Sequence, residues 1–251
     1  MNNESSALPR GEEKTSVVRA MFDTIAPRYE LINRIIAFGL DQAWRRRTIS
    51  SLDLAPPSFV VDLACGTGDL IRIAERERYK VVGIDFALNM LRSTHDIASP
   101  LIEADASRLP LATGAVDGIV SGFALRNFTD LDAVLNEIAR VLRPVGRVAL
   151  LEVDEPDHPL LRFGHRIWFR FFVPRIGAAL SDAEAYRYLP RSFAYLPPPH
   201  TMTKMLEEAG FEHIERFRLH GGIAQLICAT RTGGTPLPVA SRPNVKDKVD
   251  P

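Results

Sequence analysis

Two glycines separated by a single residue follow an apolar run in the first third of the sequence. The run covers residues 60–64, and Gly66 and Gly68 come directly after it, before a helix-like apolar pattern. This order predicts a strand, a tight turn and the start of a helix. Because glycine has no Cβ, a ligand can closely approach the backbone N–H groups of such a turn. The segment, with Asp62 and Thr67, therefore predicts a site for a nucleotide-like cofactor.

The residues after the glycines distinguish two classes of cofactor. A dinucleotide-binding turn carries a third glycine three positions after Gly68, where this chain has Ile71. Asp69 would also repel a pyrophosphate at the helix N-terminus. S-adenosylmethionine (SAM) carries a sulfonium, an ammonium and a single carboxylate, so it suits this turn better. SAM is the expected cofactor, and NAD is the alternative.

Carboxylates also follow the next two predicted strands. Asp85 ends the second strand, and Asp105 and Ala106 follow the third. Because parallel strands end at the same edge of a sheet, these side chains are expected to lie near the glycine turn. Asp85 is the candidate ligand of the ribose diol, and Asp105 with Ala106 would lie beside the adenine. Each aspartate could instead cap the helix that follows it.

Strand-like apolar runs alternate with helix-like patterns along most of the chain. This alternation predicts an α/β fold with a doubly wound, mostly parallel sheet. A helical pattern over residues 131–142 is expected to end before Pro144 and Gly146. The expected strands cover residues 59–63, 81–85, 101–103, 118–121, 147–152, 213–219 and 223–230.

Length and composition indicate a single domain. The chain has 251 residues, of which 46% are hydrophobic and 25% charged, enough for one substantial core. Residues 1–16 and 232–251 are polar or proline-rich and are expected to be flexible tails. The folded domain would cover residues 17–231. Within it, the aromatic-rich segment 156–199 is expected to form a cap insertion over the cofactor edge.

Charge and cysteine usage disfavour several classes of protein. The formal net charge is zero, so no general field attracts nucleic acid. Cys65 and Cys228 lie far apart in apolar runs, and the histidines lack metal-ligand spacing and are expected on surfaces or loops. We therefore expect buried thiols and no metal site. No secretory signal or bilayer-spanning run is found, which predicts a cytoplasmic enzyme.

Four segments carry the patterns of a known family. They are FDTIAPRYE (22–30), ACGTGDL (64–70), FALRNFTD (123–130) and YRYL (186–189). Together they resemble the ubiquinone/menaquinone C-methyltransferases of the UbiE/MenG type. The glycine turn is common to many SAM-dependent methyltransferases, whereas the last two segments are more particular to this family. The resemblance covers about residues 17–231 and implies a seven-stranded sheet with an antiparallel last strand.

The resemblance implies that the enzyme methylates a ring carbon of a prenylated quinol, converting demethylmenaquinol to menaquinol. Arg126 would stabilise the oxyanion that forms on the quinol, and Asn127 would orient the ring. Tyr29 would complete the proton path. In the alternative interpretation, Arg126 pairs with Asp130 and Tyr29 only packs. The acceptor would be a small aromatic molecule or a quinol, and a homodimer and peripheral contact with the inner membrane face remain open.

Some positions depart from the family pattern near the acceptor. Residues 152–156 read EVDEP where the family has EFSKP, so the charge at the rim is expected to be reversed. Gly122 replaces a serine that is often near the cofactor, and it stays among the cofactor-binding candidates. These departures leave two alternatives open. The chain could be a paralogue that methylates another aromatic or quinone-like compound in secondary metabolism, or a non-catalytic SAM-binding protein.

Three arginines in the cap segment lie four residues apart. Arg162, Arg166 and Arg170 would share one face of an amphipathic helix. Such a helix could pack on the core as an ordinary surface helix, or it could dock against a membrane-borne lipid.

Overall fold

A seven-stranded sheet forms the centre of the protein. The computed structural model describes residues 11–173, 175 and 191–233. The strands are β1 (Phe59–Leu63), β2 (Lys80–Asp85), β3 (Leu101–Glu103), β4 (Val116–Gly122), β5 (Leu142–Val153), β6 (Phe211–Leu219) and β7 (Ala224–Arg231). Their order is β3-β2-β1-β4-β5-β7-β6. The pairs among β1 to β5 are parallel, and β7 is antiparallel to both of its neighbours.

Helices cover both faces of this sheet. They are α1 (Gly11–Ile25), α2 (Tyr29–Ile36), α3 (Asp41–Ser50), α4 (Asp69–Arg76), α5 (Leu88–Arg92), α6 (Leu131–Val141), α7 (Pro159–Ile167) and α8 (Pro199–Glu208). Short 3-10 turns occupy Ala26–Arg28, Leu125–Asn127, Phe193–Tyr195 and His220–Gly222, and a π-helical turn occupies Trp168–Phe172. The predicted doubly wound α/β fold is therefore confirmed, with its antiparallel last strand.

The apolar runs form strands because both faces of the sheet are buried. Ile138 and Leu206 belong to the core on the face covered by α6 and α8. Trp44 and Ile71 belong to the core on the opposite face, under α3 and α4. Continuous apolar strands are typical of parallel sheets covered on both sides. The strand order reverses between β1 and β4, and ligands commonly bind at such a switch point.

The predicted strands all form, with ends that move by a few residues. The largest difference is in β5, which begins at Leu142, directly after α6 ends at Val141. Pro144 and Gly146 therefore lie within the strand, where the register against β4 shifts. A Cβ on Gly146 would lie 2.8 Å from the Arg143 carbonyl oxygen, so the irregular backbone needs glycine there.

The N-terminal boundary of the fold differs from the prediction. Residues 11–16, expected to be part of a tail, form the first turns of α1. They are held because Val18 and Ile25 pack in the core and Lys14 donates a hydrogen bond to the Phe128 carbonyl. Residues 1–10 and 234–251 of the predicted tails lie outside the described residues. So does the YRYL segment at 186–189.

The described part of the chain contains no helix long and apolar enough to cross a membrane. Over the same residues, no three potential metal ligands cluster together. Both cysteines are buried free thiols, as expected.

Candidate active site

The glycine turn forms as predicted at the carboxyl end of β1. Backbone φ is +56° at Gly66 and +87° at Gly68, which is the residue that precedes α4. A Cβ on Gly68 would lie 2.9 Å from the Thr94 methyl group. Side chains rarely adopt this conformation, so the turn depends on its glycines. Its backbone reaches the edge of the sheet where a ligand can approach it.

A cavity of about 350 Å³ opens beside this turn. Five of the predicted cofactor-binding residues line it: Gly66, Asp85, Asp105, Ala106 and Gly122. Asp62, Thr67 and Gly68 are not among its lining residues. Asp62 and Thr67 are buried, so they lie within the structure that supports the turn.

Asp85 links the turn to the second strand. Its two carboxylate oxygens accept hydrogen bonds from the N–H groups of Gly66 and Ala87, each at 2.8 Å. Burial raises the pKa of Asp85 to about 6, although these backbone donors oppose the shift. Each carboxylate oxygen has a second lone pair, so Asp85 can still accept hydrogen bonds from a ribose diol. Asp85 therefore both shapes the turn and lines the cavity.

Asp105 also has a structural role. One of its oxygens accepts hydrogen bonds from the N–H and the hydroxyl of Ser107, both at 2.7 Å. Neither aspartate caps the next helix, which was the alternative that the sequence left open. Each instead accepts a hydrogen bond from the N–H two residues further along, and both line the cavity.

Asp62 is a buried carboxylate at the carboxyl end of β1. Neither of its oxygens receives a hydrogen bond of normal geometry from the described residues. Burial raises the pKa of Asp62 well above its ordinary value, Arg45 opposes the shift, and the nearby Asp85 and Asp69 add to it. The backbone N–H of Ile71 also opposes the shift, so Arg45 and this N–H are the groups that offset the charge of Asp62 inside the protein.

A second cavity, of about 410 Å³, adjoins the first. Phe22, Tyr29 and Phe123 line both cavities, so a methyl group could pass between ligands at this junction. The wall of the second cavity is mainly apolar, and its polar lining side chains are few. The lining side chains that can hydrogen-bond are Tyr29, Asn33, Asp41, Trp44, Arg126, His165 and Trp168.

Arg126 is buried in the wall of the second cavity. Its guanidinium forms an ion pair with Glu152, which is itself fully buried. It also donates hydrogen bonds to the Phe123 carbonyl at 2.9 Å and the Ser192 hydroxyl at 3.1 Å. Three partners from three segments thus hold this cation beside the cavity.

The alternative pairing of Arg126 with Asp130 is wrong. Asp130 instead caps α6, accepting a hydrogen bond from the Ala133 N–H at 2.9 Å. The true partner, Glu152, lies 26 positions away along the chain. No local pattern joins the two residues, because β4 and β5 bring them together only through the sheet.

The other two predicted catalytic residues occupy different positions. Asn127 lines the first cavity, and its amide donates a hydrogen bond to the Phe123 carbonyl at 3.3 Å. Tyr29 lies at the junction of the two cavities. Burial raises the pKa of Tyr29, opposed by Arg45 and Arg126, so its hydroxyl is a hydrogen-bond donor at neutral pH. Arg126 and Tyr29 are therefore beside the second cavity, and Asn127 is beside the first.

Two residues of the second cavity have no signal in the sequence. Asp41, at the start of α3, is buried beside Gln42 and Arg45. His165, expected on a surface or loop like the other histidines, is half-buried on α7, where burial lowers its pKa. His165 lies four residues after Leu161, which lines the same cavity. This spacing places the two on one helix face, but the sequence does not show which face of α7 lies against the cavity.

The reversed charge expected at the rim is neutralised. Asp154 pairs with Arg216 at 2.6 Å and with Arg218 at 3.2 Å. Glu155 pairs with Arg166 of α7 at 2.7 Å. The acidic replacements therefore face arginines of their own chain, and the rim carries no unpaired negative charge from these two residues.

Sequence comparison identifies the family. The profile of the ubiE/COQ5 methyltransferase family matches residues 10–231. A relative from Syntrophotalea carbinolica, the ubiquinone/menaquinone biosynthesis C-methyltransferase UbiE, is 40% identical over 85% of this chain and 94% of its own. The demethylmenaquinone methyltransferase of Roseiflexus sp. strain RS-1 is 39% identical over 91% of this chain and 99% of its own.

Solved structures agree on the fold. A SAM-dependent methyltransferase from Thermotoga maritima superposes with a TM-score of 0.60 at 16% identity, covering 85% of this chain and 99% of its own. The Haemonchus contortus phosphoethanolamine N-methyltransferase 2, solved with SAM, gives 0.54 at 14% identity, over 74% of this chain and 52% of its own. With the family profile, the relatives and the two adjoining cavities in agreement, the chain belongs to the ubiE/COQ5 methyltransferase family and is a SAM-dependent enzyme.

Proposed function

We propose that this enzyme transfers the methyl group of SAM to a ring carbon of demethylmenaquinol, a prenylated quinol. The observation that carries the proposal is the pair of adjoining cavities, one lined by the glycine turn and its carboxylates and the other mainly apolar. This chain matches two relatives named demethylmenaquinone methyltransferase over 99% of their length. The apolar cavity has the chemistry that a quinol ring and its tail require.

The residues of the chain would align and activate the acceptor. SAM supplies an already activated methyl group. A quinol ring carbon becomes nucleophilic when the adjacent hydroxyl loses its proton, and Arg126 would lower the pKa of that hydroxyl. Tyr29, at the junction, would hydrogen-bond the same oxygen or a relaying water. Asn127 would act from the side of the first cavity, where it can fix the donor relative to the ring.

The test is transfer of isotopically labelled methyl from SAM to a panel of acceptors. The panel contains demethylmenaquinol, demethoxy-type benzoquinols and simple phenols. Label on a ring carbon of demethylmenaquinol is the expected result. Label only on another compound would show a paralogue with a different acceptor, and tight SAM binding with no transfer to any of them would contradict the proposal.

We also propose that the enzyme collects its acceptor from a membrane surface. Large apolar side chains of α7 and of the turn after α2 are exposed near the second cavity, including Leu160 at 72%, Phe163 at 64% and Phe38 at 70%. Phe38 and Leu160 also line that cavity. Contiguous exposed apolar surface marks an interaction site. A bilayer is the favoured occupant because the surface is continuous with the cavity proposed for a lipid-soluble acceptor.

Co-sedimentation with phosphatidylcholine vesicles tests this second proposal. The wild type should bind, and replacing Phe38 and Phe163 by serine should reduce the bound fraction. A matched control replaces Val17, an exposed apolar residue of α1 outside both cavities, by serine. Equal binding of all three proteins would contradict a membrane contact at this surface. So would a wild-type dimer in sedimentation equilibrium that the paired serine replacements dissociate, because a second copy would then cover the surface.

A further inference from the structure

Helix α7 carries a glycine where a side chain would face the second cavity. Leu160, Gly164 and Trp168 lie four residues apart, and all three line the cavity. Leu161 and His165 line it too, one position further along the helix. Residues at this spacing share one helix face. Gly164 is therefore the centre of the face that α7 turns towards the cavity.

The position of Gly164 is empty rather than crowded. A Cβ built on it meets no heavy atom within 4 Å. Packing therefore does not explain this glycine, unlike Gly146, whose Cβ would meet backbone atoms. A glycine in the interior of a helix also lowers helix stability by about 1 kcal/mol relative to alanine. What the glycine provides is an open space against the wall of the cavity.

Contacts on either side of Gly164 hold the helix in place. Leu161 approaches the turn at Gly221, where its Cδ1 lies 3.2 Å from a Cβ built on that glycine. Trp168 donates a hydrogen bond to the Ile36 carbonyl at 3.2 Å, and its ring lies 4.6 Å from the ring of Phe38. Between these two contacts, α7 presents bare backbone to the cavity at Gly164 alone among the lining residues. The gap is therefore a fixed feature of the cap.

We propose that Gly164 forms the passage through which the long apolar tail of the acceptor leaves the second cavity. This inference rests on the proposed function and adds the residue that selects tailed acceptors. The ring would lie near Arg126 and Tyr29, and the tail would cross α7 at Gly164 between Leu160 and Trp168. Both flanking side chains offer apolar surface to such a chain, and Leu160 extends the path to the exposed surface.

The experiment compares two acceptors in two variants. Demethylmenaquinol with a long prenyl tail and a demethylnaphthoquinol with a single isoprene unit are each methylated by the wild type, Gly164→Ala and Gly164→Leu. Gly164→Leu should lower the ratio of kcat/KM for the long-tailed over the short-tailed acceptor by about tenfold or more, because its side chain fills the passage. Gly164→Ala should change the ratio less and raise the Tm by about 2–4 °C.

The ratio of two acceptors within one protein does not depend on the folded fraction, so partial misfolding cannot imitate the result. Val17→Leu is the control, because Val17 is exposed on α1 and lines neither cavity. Its ratio should stay at the wild-type value. If kcat/KM of Gly164→Leu falls equally for both acceptors, or does not fall, the ratio is unchanged. That result would overturn this inference and leave the proposed function standing. A wild type that methylates neither acceptor would overturn the proposed function, and the inference with it.

Discussion

At the scale of single residues, the site is defined by buried charges. Asp62 and Asp85 both have raised pKa values because they are buried. Arg126 and Glu152 form a buried ion pair beside the second cavity. Each of these groups is expensive to bury without a partner. Asp85 has the N–H groups of Gly66 and Ala87 as partners, and Arg126 has Glu152.

The affinity for SAM should fall in mild acid. A ribose diol donates hydrogen bonds to the ionised carboxylate of Asp85, whose pKa is about 6. Affinity is therefore complete above that pH and is lost as the pH falls through it. If the protonated form does not bind, Kd should rise about tenfold between pH 7 and pH 5. Calorimetry at several pH values measures this directly.

Asp85→Asn should bind SAM more weakly and with a flatter pH dependence. Asp132→Asn is the control, because Asp132 is exposed on α6 and should reproduce the wild-type curve. A wild-type Kd that does not change over this pH range would contradict the role given to the Asp85 carboxylate.

A double variant of Arg126 and Glu152 separates the structural role of Arg126 from its proposed role in catalysis. Arg126→Gln alone leaves Glu152 buried and unpaired, which should destabilise the fold by about 3–5 kcal/mol. In the double variant Arg126→Gln/Glu152→Gln most of that stability should return, because both charges are gone. Turnover should still be about 10²–10³-fold below the wild type if Arg126 stabilises the developing oxyanion.

Thermal unfolding and single-turnover methyl transfer on the same samples give both quantities. SAM affinity is the control, since neither residue lines the first cavity. A double variant with wild-type turnover would show that Arg126 is structural only.

At the scale of elements, short structures at the ends of strands position the site. The 3-10 turn Leu125–Asn127 follows β4 and directs Arg126 to one cavity and Asn127 to the other. Helix α6 begins just after it, with Asp130 as its N-cap. Side-chain caps satisfy N–H groups that the first turn of a helix leaves unpaired. The cap therefore fixes the start of α6.

Removal of this cap should be measurable as a loss of stability. Asp130→Ala should lower the free energy of unfolding by about 1 kcal/mol, which corresponds to a fall in Tm of about 2–4 °C for a domain of this size. Asp132→Ala changes an acidic residue in the same first turn that does not cap it, and it should cost less than half as much. Equal shifts would show that charge near the helix N-terminus, and not the hydrogen bond to Ala133, is what matters. Thermal denaturation of both variants gives the comparison.

At the scale of the whole molecule, the sheet joins segments that are far apart in sequence. Ends of β1, β2, β3 and β4 build the first cavity, and α2, α3, α7 and the turn after β4 surround the second. A ligand that bridges several elements of the folded state should stabilise all of them together. The identity of that ligand can therefore be read from the unfolding of the whole chain.

SAM should raise the Tm, and NAD should not. At 100 times its Kd, SAM should add about 2.7 kcal/mol of stability, a rise of roughly 5–10 °C. Asp69, expected to repel a pyrophosphate, is paired with Arg45 and Arg72, so the obstacle to NAD is Ile71 in place of the third glycine of a dinucleotide-binding turn. Differential scanning fluorimetry distinguishes the two, and a larger shift with NAD would contradict the assignment of the cofactor.

The sequence by itself determined the strands, the glycine turn and the family. These follow from local rules, because burial on both faces makes a strand continuously apolar and a left-handed turn requires glycine at Gly66 and Gly68. The positions of Asp85 and Asp105 beside the glycine turn were predictable because parallel strands end at one edge, whereas Gly122 followed from the family resemblance. The helix end before Pro144 was predictable from proline itself.

Only the tertiary structure decided which side chains meet. The partner of Arg126 is Glu152 and not the nearby Asp130, because parallel pairing of β4 and β5 outweighs proximity along the chain. Arg216 and Arg218 reach Asp154 across the sheet and cancel a charge that the sequence showed as reversed. The open space at Gly164 depends on how α7 packs between distant contacts. Local sequence determines secondary-structure propensity and the spacing of apolar residues. Long-range packing determines which charged side chains pair and what shape the cavities have.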